Sequence, residues 1–311
     1  MDVKCGFQRR DFLRSFAAGA AAWLPGRGFA QAGALTSNKL TDNIHLIRGA
    51  GNNVLLAVGA DGCLMVDSGS PEGSADLLKL VAQLSGGKPV RTLFNTHWHP
   101  ESTGGNDALV KAMPGLKILA HENTRLWMGA DVISPYLKKT FQARAKEALP
   151  NQTFYTNGKM MFGDEPVEYG YLGQAHTDSD IYVLLGKSNI LVTGDVMTVG
   201  KYPILDYPSG GWIGGINAAS KTLADMAKAD TKVVPGSGPV QTKADLDEES
   251  KMLAVVYDRL VKLIRQGAGA KDMLAATPTK EFDAKWGSPE LLINNAYPGM
   301  WGHVRELGGI V

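Results

Sequence analysis

The sequence predicts an α+β fold in which two β-sheets pack together with helices outside. Three observations predict it. Short β-prone runs fill the first part of the chain, strand patterns return after residue 165, and helical periodicity finishes each strand-rich half. The 311 residues are 44% hydrophobic, enough to bury a large core. No repeat or low-complexity linker interrupts them, so residues 33–311 read as one domain.

Taken in order, Ile44 to Arg48, Asn53 to Val58 and Cys63 to Val66 are strands separated by glycine-containing turns, and Asp67-Ser68-Gly69 closes the third. Residues 72–85 place Leu77, Leu78, Leu80, Val81 and Leu84 at helical spacing. Thr92 to Asn95 is a strand, Asn106 to Met113 a helix, and Lys117 to Ala120 a strand ending at His121. Residues 122–165 are polar and broken, which predicts a helical or loop insertion over one face. Strands follow at Val167 to Tyr171, Asp180 to Leu185 and Ile190 to Thr193. A helix over Trp212 to Ala227, a strand over Lys232 to Val234 and a long amphipathic helix over Leu246 to Gln266 complete the pattern.

The first 32 residues read as an address. Gln8-Arg9-Arg10-Asp11-Phe12-Leu13-Arg14 is a twin-arginine pattern, Ser15 to Leu24 is a short apolar stretch, and Ala30-Gln31-Ala32 offers a small-residue cleavage site. The expectation is a periplasmic or secreted protein, handled by the twin-arginine export machinery and left with no stable membrane anchor after cleavage. Residues 1–32 carry five positive and two negative charges, so the remainder has a net charge of about −2 against +1 for the whole chain. No basic stripe or RNA-type aromatic motif is present, which argues against a nucleic-acid partner. Cys63 would be the single cysteine left, excluding an internal disulfide, and its apolar strand setting predicts a buried, inert thiol.

The chemistry concentrates in Thr96-His97-Trp98-His99-Pro100-Glu101-Ser102-Thr103-Gly104-Gly105. Two histidines one residue apart on a loop after an apolar run can aim both imidazoles at one ion, and the glycine pair lets the backbone turn tightly. Three other sites fall at predicted strand ends: His176 in Gly173-Gln174-Ala175-His176-Thr177-Asp178, Asp195 after Gly194, and the Pro235-Gly236-Ser237-Gly238 turn. Singly each is weak, since a lone histidine is commonly structural and Gly-Asp after a strand is usually a turn. In this order and spacing they resemble the metallo-β-lactamase superfamily.

That resemblance implies an αββα sandwich with a metal site at one edge of the two sheets. It implies that His97, His99 and His176 bind the first ion, with Asp195 as the bridging carboxylate, and that Asp67 orients the metal loop. The second site departs from the family pattern, because Glu101, Ser102 and Ser237 stand where Asp, His and His are expected. Serine hydroxyls are poor zinc ligands, so one Zn2+ per chain is predicted, with Glu101 a possible further ligand or, like Asp195, a proton acceptor. His121 is expected behind the ligands rather than among them, with Ser102 and Ser237. His45 and His303 read as surface or packing residues, and Asp178 and Asp180 as turn residues. Trp98, between two ligands, should point to the rim or the core. Tyr202, Tyr207 and Trp212 either line the pocket mouth or pack on the sandwich.

The resulting expectation is an exported zinc hydrolase acting on a small ester, lactone, thioester or amide. The alternative is a metal- or ligand-binding member of the fold without efficient turnover. Iron redox chemistry is a weaker third reading.

Overall fold

The computed structural model describes residues 35–134 and 139–308, so the twin-arginine segment and its cleavage site lie outside the described residues. The described residues all belong to one compact unit. It opens with strands β1 (Thr36–Lys39), β2 (Ile44–Arg48), β3 (Val54–Val58) and β4 (Cys63–Val66), paired antiparallel in sequence. Helix α1 (Ser74–Ser85) then crosses to β5 (Val90–Phe94), which lies parallel to β4. The one-turn helix α2 (Pro100–Thr103) and α3 (Asn106–Ala112) lead to β6 (Lys117–His121), parallel to β5, and α4 (Glu122–Met128) follows.

The stretch expected to be an insertion has more structure than its polar sequence suggests. It contains α4 and a small hairpin, β7 (Val132–Ser134) with β8 (Lys139–Phe141). It also contains β9 (Gln152–Phe154), which joins the first sheet beside β6. Strand β10 (Asn157–Phe162) begins the second sheet. The reason lies in edge geometry. Both β9 and β10 are edge strands whose residues are mostly or alternately exposed, so they need no continuous apolar signal. The second sheet continues through β11 (Glu165–Tyr171), β12 (Ile181–Leu185) and β13 (Ile190–Gly194) to β14 (Lys232–Pro235), which runs parallel to β13. Helices α5 (Ile213–Met226), α6 (Lys243–Arg265), α7 (Ala270–Ala275), α8 (Asp283–Trp286) and α9 (Glu290–Gly302) complete the chain.

Strand alternation builds the layers. On β4, Leu64 and Val66 face the second sheet, joining Ile181, Val183, Ile190, Val192 and Val234. Cys63 and Met65 face the other way, against Leu77 and Val81 of α1 and Leu109 of α3. On β13, Leu191 turns outward to Ile216 and Leu223 of α5 and to Leu253 and Val256 of α6. The order is therefore helix, sheet, sheet, helix, the αββα sandwich. Cys63 is free and fully buried. Among the described residues no helix is long and apolar enough to cross a membrane.

Candidate metal centre

The parallel pairs β4–β5 and β13–β14 end on the same kind of edge, and the loops leaving their carboxyl ends carry Asp67, His97, His99, Asp195 and Ser237. Asp67, just past β4, adopts a left-handed backbone with φ 60°, uncommon for a residue with a side chain. That bend turns its carboxylate onto the next loop. The Thr96 amide donates to Asp67 Oδ1 at 2.7 Å and the Thr96 hydroxyl donates to Oδ2 at 2.7 Å. Burial pushes Asp67 up to about 8, against the lowering effect of the two Thr96 bonds.

Since the Thr96 hydroxyl hydrogen is committed to Asp67, its oxygen accepts from His97 Nδ1–H at 3.1 Å. The lone pair of His97 Nε2 is left facing inward, and this buried atom has no protein partner among the described residues. His99 is held in the opposite sense. Its Nε2–H donates to Asp206 Oδ2 at 2.9 Å, and Ser209 Oγ donates to the same oxygen at 2.5 Å. His176 Nδ1–H donates to the Ile204 carbonyl at 2.7 Å. Outer partners thus fix all three tautomers, and the free nitrogens are His97 Nε2, His99 Nδ1 and His176 Nε2.

These nitrogens lie within 4.8 Å of one another on three buried side chains. His176 Nε2 and His99 Nδ1 are 3.0 Å apart, two lone pairs directed at each other. Such an arrangement calls for a positive charge between them. Burial, together with the repulsion a protonated His99 or His176 would exert, holds His97 well below the usual histidine range, so it stays neutral and suited to ligation. Burial would lower His99 as well, but its bond to Asp206 and the charges of Glu101, Asp206 and Asp195 raise it. Burial would raise Asp206, yet the bond from His99 holds it below the ordinary carboxylate range. The donor set fits zinc, with three imidazoles and a carboxylate nearby.

Asp195 follows β13 and points Oδ2 toward the cluster, 3.8 Å from both His97 Nε2 and His176 Nε2. Its closeness to the next turn demands glycine there, because a Cβ at Gly236 would stand 1.7 Å from Asp195 Oδ1. Glu101 reaches the centre despite its longer side chain. Its Oε1 is 3.8 Å from His99 Nδ1, and a carboxylate oxygen of Glu101 shares a 4.8 Å cluster with His97 and Asp195. Ser102 is fully buried and its Oγ accepts from Asn52 Nδ2, whereas Ser237, after Gly236, is half-buried.

Several expected neighbours serve elsewhere. His121 accepts the Asn123 amide as the cap of α4 and stacks on Tyr171 at 3.9 Å, so its recorded partners lie outside the three-histidine ring. Trp98 points into a core of Met128 and Val132 with Trp127 and Phe141 packed against it, not to a rim. Tyr202 is buried, stacks on Trp286 and donates to Asp283 Oδ1. Trp212 is buried against His303, and Tyr207 alone of the three aromatics is exposed, at 41%. Asp180 accepts the Thr177 amide and closes the turn behind His176, while Asp178 accepts from Trp127 Nε1. His45 is buried on β2, 3.4 Å from Ser37 Oγ. The sequence reading missed Thr96, Asp206 and Asn52. Of these only Thr96, beside His97, carried a local signal.

The family model of the metallo-beta-lactamase superfamily matches residues 47–238. A metallo-beta-lactamase from Pontibacter korlensis is similar at 20% identity and TM-score 0.57, covering 71% of this chain and 99% of its own. The metallo-beta-lactamase DIM-1 is similar at 20% identity and TM-score 0.56, covering 72% and 99%. The stereoselective inverting sec-alkylsulfatase Pisa1 from Pseudomonas sp. shares 17% identity at TM-score 0.66, over 85% of this chain and 50% of that one.

Proposed function

The chain belongs to the metallo-beta-lactamase superfamily, and on that premise we propose that it is an exported zinc-dependent hydrolase of a small ester, lactone, thioester or amide. One observation carries the reading. Three buried imidazoles present bare lone pairs to a common point, and a different outer partner locks each one. A zinc ion held by His97, His99 and His176 would supply Lewis acidity toward a substrate oxygen and would lower the pKa of a water to about 7.

The protein's own groups do the rest. Asp195 is anchored through Oδ1 and leaves Oδ2 facing the cluster, where it accepts a proton from an attacking water. Glu101, whose side chain is 36% exposed, is the second acceptor on the open side. Asp206, Thr96 and the Ile204 carbonyl keep the three rings from rotating, so the site needs no rearrangement during reaction.

The test is elemental analysis of the protein purified without added metal, followed by ester and lactone turnover of the wild type and His176→Ala. About one zinc per chain and loss of turnover in the variant support the reading. A chain that stays empty when zinc is offered, or a His176→Ala variant as active as the wild type, ends it.

A further inference from the structure

Asn52 sits on the short loop between β2 and β3, far in sequence from every ligand, and is 7% exposed. Its Nδ2 donates to Ser102 Oγ at 3.0 Å and to Asp195 Oδ1 at 2.9 Å. A carboxylate only accepts, so the atom facing Asp195 is the amide nitrogen rather than the oxygen. The loop cannot drift. The Asn52 amide donates to the Glu101 carbonyl at 3.0 Å, and the Asn53 amide donates to the Gly236 carbonyl at 2.6 Å. Asn53 Nδ2 donates to the carbonyls of Pro235 and Gly238. Gly51, at φ +107°, passes so close that a Cβ would meet the Ser70 amide at 2.8 Å and the Glu101 carbonyl at 3.0 Å.

Two overlapping groups could each hold a cation, the three histidines and the set His97, Glu101 and Asp195. We propose that Asn52 is a positioning residue of the metal centre: its carboxamide nitrogen holds Asp195 Oδ1 and Ser102 Oγ, and so aims the free oxygen of Asp195 at the three histidines. This rests on the zinc-centre reading above. Asn52 Nδ2 engages Asp195 Oδ1 and Ser102 Oγ, which leaves Asp195 Oδ2, 3.8 Å from His97 Nε2 and His176 Nε2, to serve the centre. Two N–H bonds give those oxygens the positive field an ion would give, without burying a second full charge. Asn52 is accordingly a positioning residue that acts through Asp195.

The experiment titrates zinc into the metal-free full-length wild type, Asn52→Ala and Asn52→Asp, with bound zinc per chain and the visible spectrum of the cobalt-substituted proteins as readouts. The expected result is one ion in the wild type. Asn52→Ala keeps one ion, bound about 10–100-fold more weakly and with an altered cobalt spectrum. Asn52→Asp keeps the shape but sets a second carboxylate against Asp195 in place of a donor, so it too keeps one ion, bound more weakly and with an altered cobalt spectrum. Folded variants with wild-type affinity and cobalt spectrum overturn the role of Asn52 and leave the zinc centre standing. A wild type that binds none overturns both.

Discussion

His97, His99 and His176 share a residue type but not a mode of restraint. One is held through a threonine, one by a buried aspartate and one by a backbone carbonyl. The aspartate does more than orient, because its charge raises the basicity of the ligand it holds. Asp206→Asn keeps the shape of the side chain and removes that charge. We expect zinc affinity to fall about 10–100-fold with the melting temperature of the metal-free protein little changed. Competition with a chelator of known affinity measures it, and unchanged affinity would show that Asp206 only fills space. The path Asp67–Thr96–His97 follows the same logic one residue further out.

At the scale of elements, helix α6 does something its amphipathic pattern does not advertise. Its buried apolar residues Leu246, Leu253, Val256, Leu260 and Ile264 cover the second sheet. Its start is fixed by a capping box between Thr242 and Asp245. On the same buried face, Glu249 accepts from the Thr198 amide at 3.0 Å and from the Thr198 hydroxyl at 2.9 Å, tying the helix to the loop that leaves Asp195. Burial pushes Glu249 up to about 8, so it carries its proton in the folded chain where the unfolded chain has lost it. A raised carboxyl stabilises the fold below the ordinary glutamate range, near pH 4.5, and that contribution is lost as pH climbs toward 8. Glu249→Gln stays neutral throughout. Thermal melts should therefore show the variant gaining on the wild type between pH 5 and pH 8.5, by several degrees at the upper end. A gap that does not change with pH would contradict this account.

At the scale of the whole molecule, the centre exists only when loops from both sheets meet: Asp67, His97 and His99 come from the first, His176 and Asp195 from the second. The chain must be folded before these side chains can hold an ion together, which suits the export route proposed above, one that carries folded cargo. Replacing Arg9 and Arg10 together with lysine should keep the protein in the cytoplasm, and the exported form should begin at residue 33. Fractionation and mass spectrometry of the exported protein check both, and an unprocessed chain outside the cell would refute the cleavage site. Much of this was legible beforehand. Leu64, Val66, Ile190 and Val192 announce their strands because burial leaves them no polar option, and His97, His99 and His176, which the fold gathers within 4.8 Å, stand out because each lies in a short motif at a strand end. The edge strands β9 and β10 did not, since half-exposed segments tolerate polar residues. Asp206 and Asn52 were invisible for a different reason. A hydrogen bond across 107 or 143 residues depends on where the sandwich brings two loops, and no local spacing records it. The sequence carried the fold through the alternation of its strands, and the three histidines through short motifs at strand ends. The partners that set each histidine's tautomer, and the amide that holds Asp195, came from packing two sheets edge to edge.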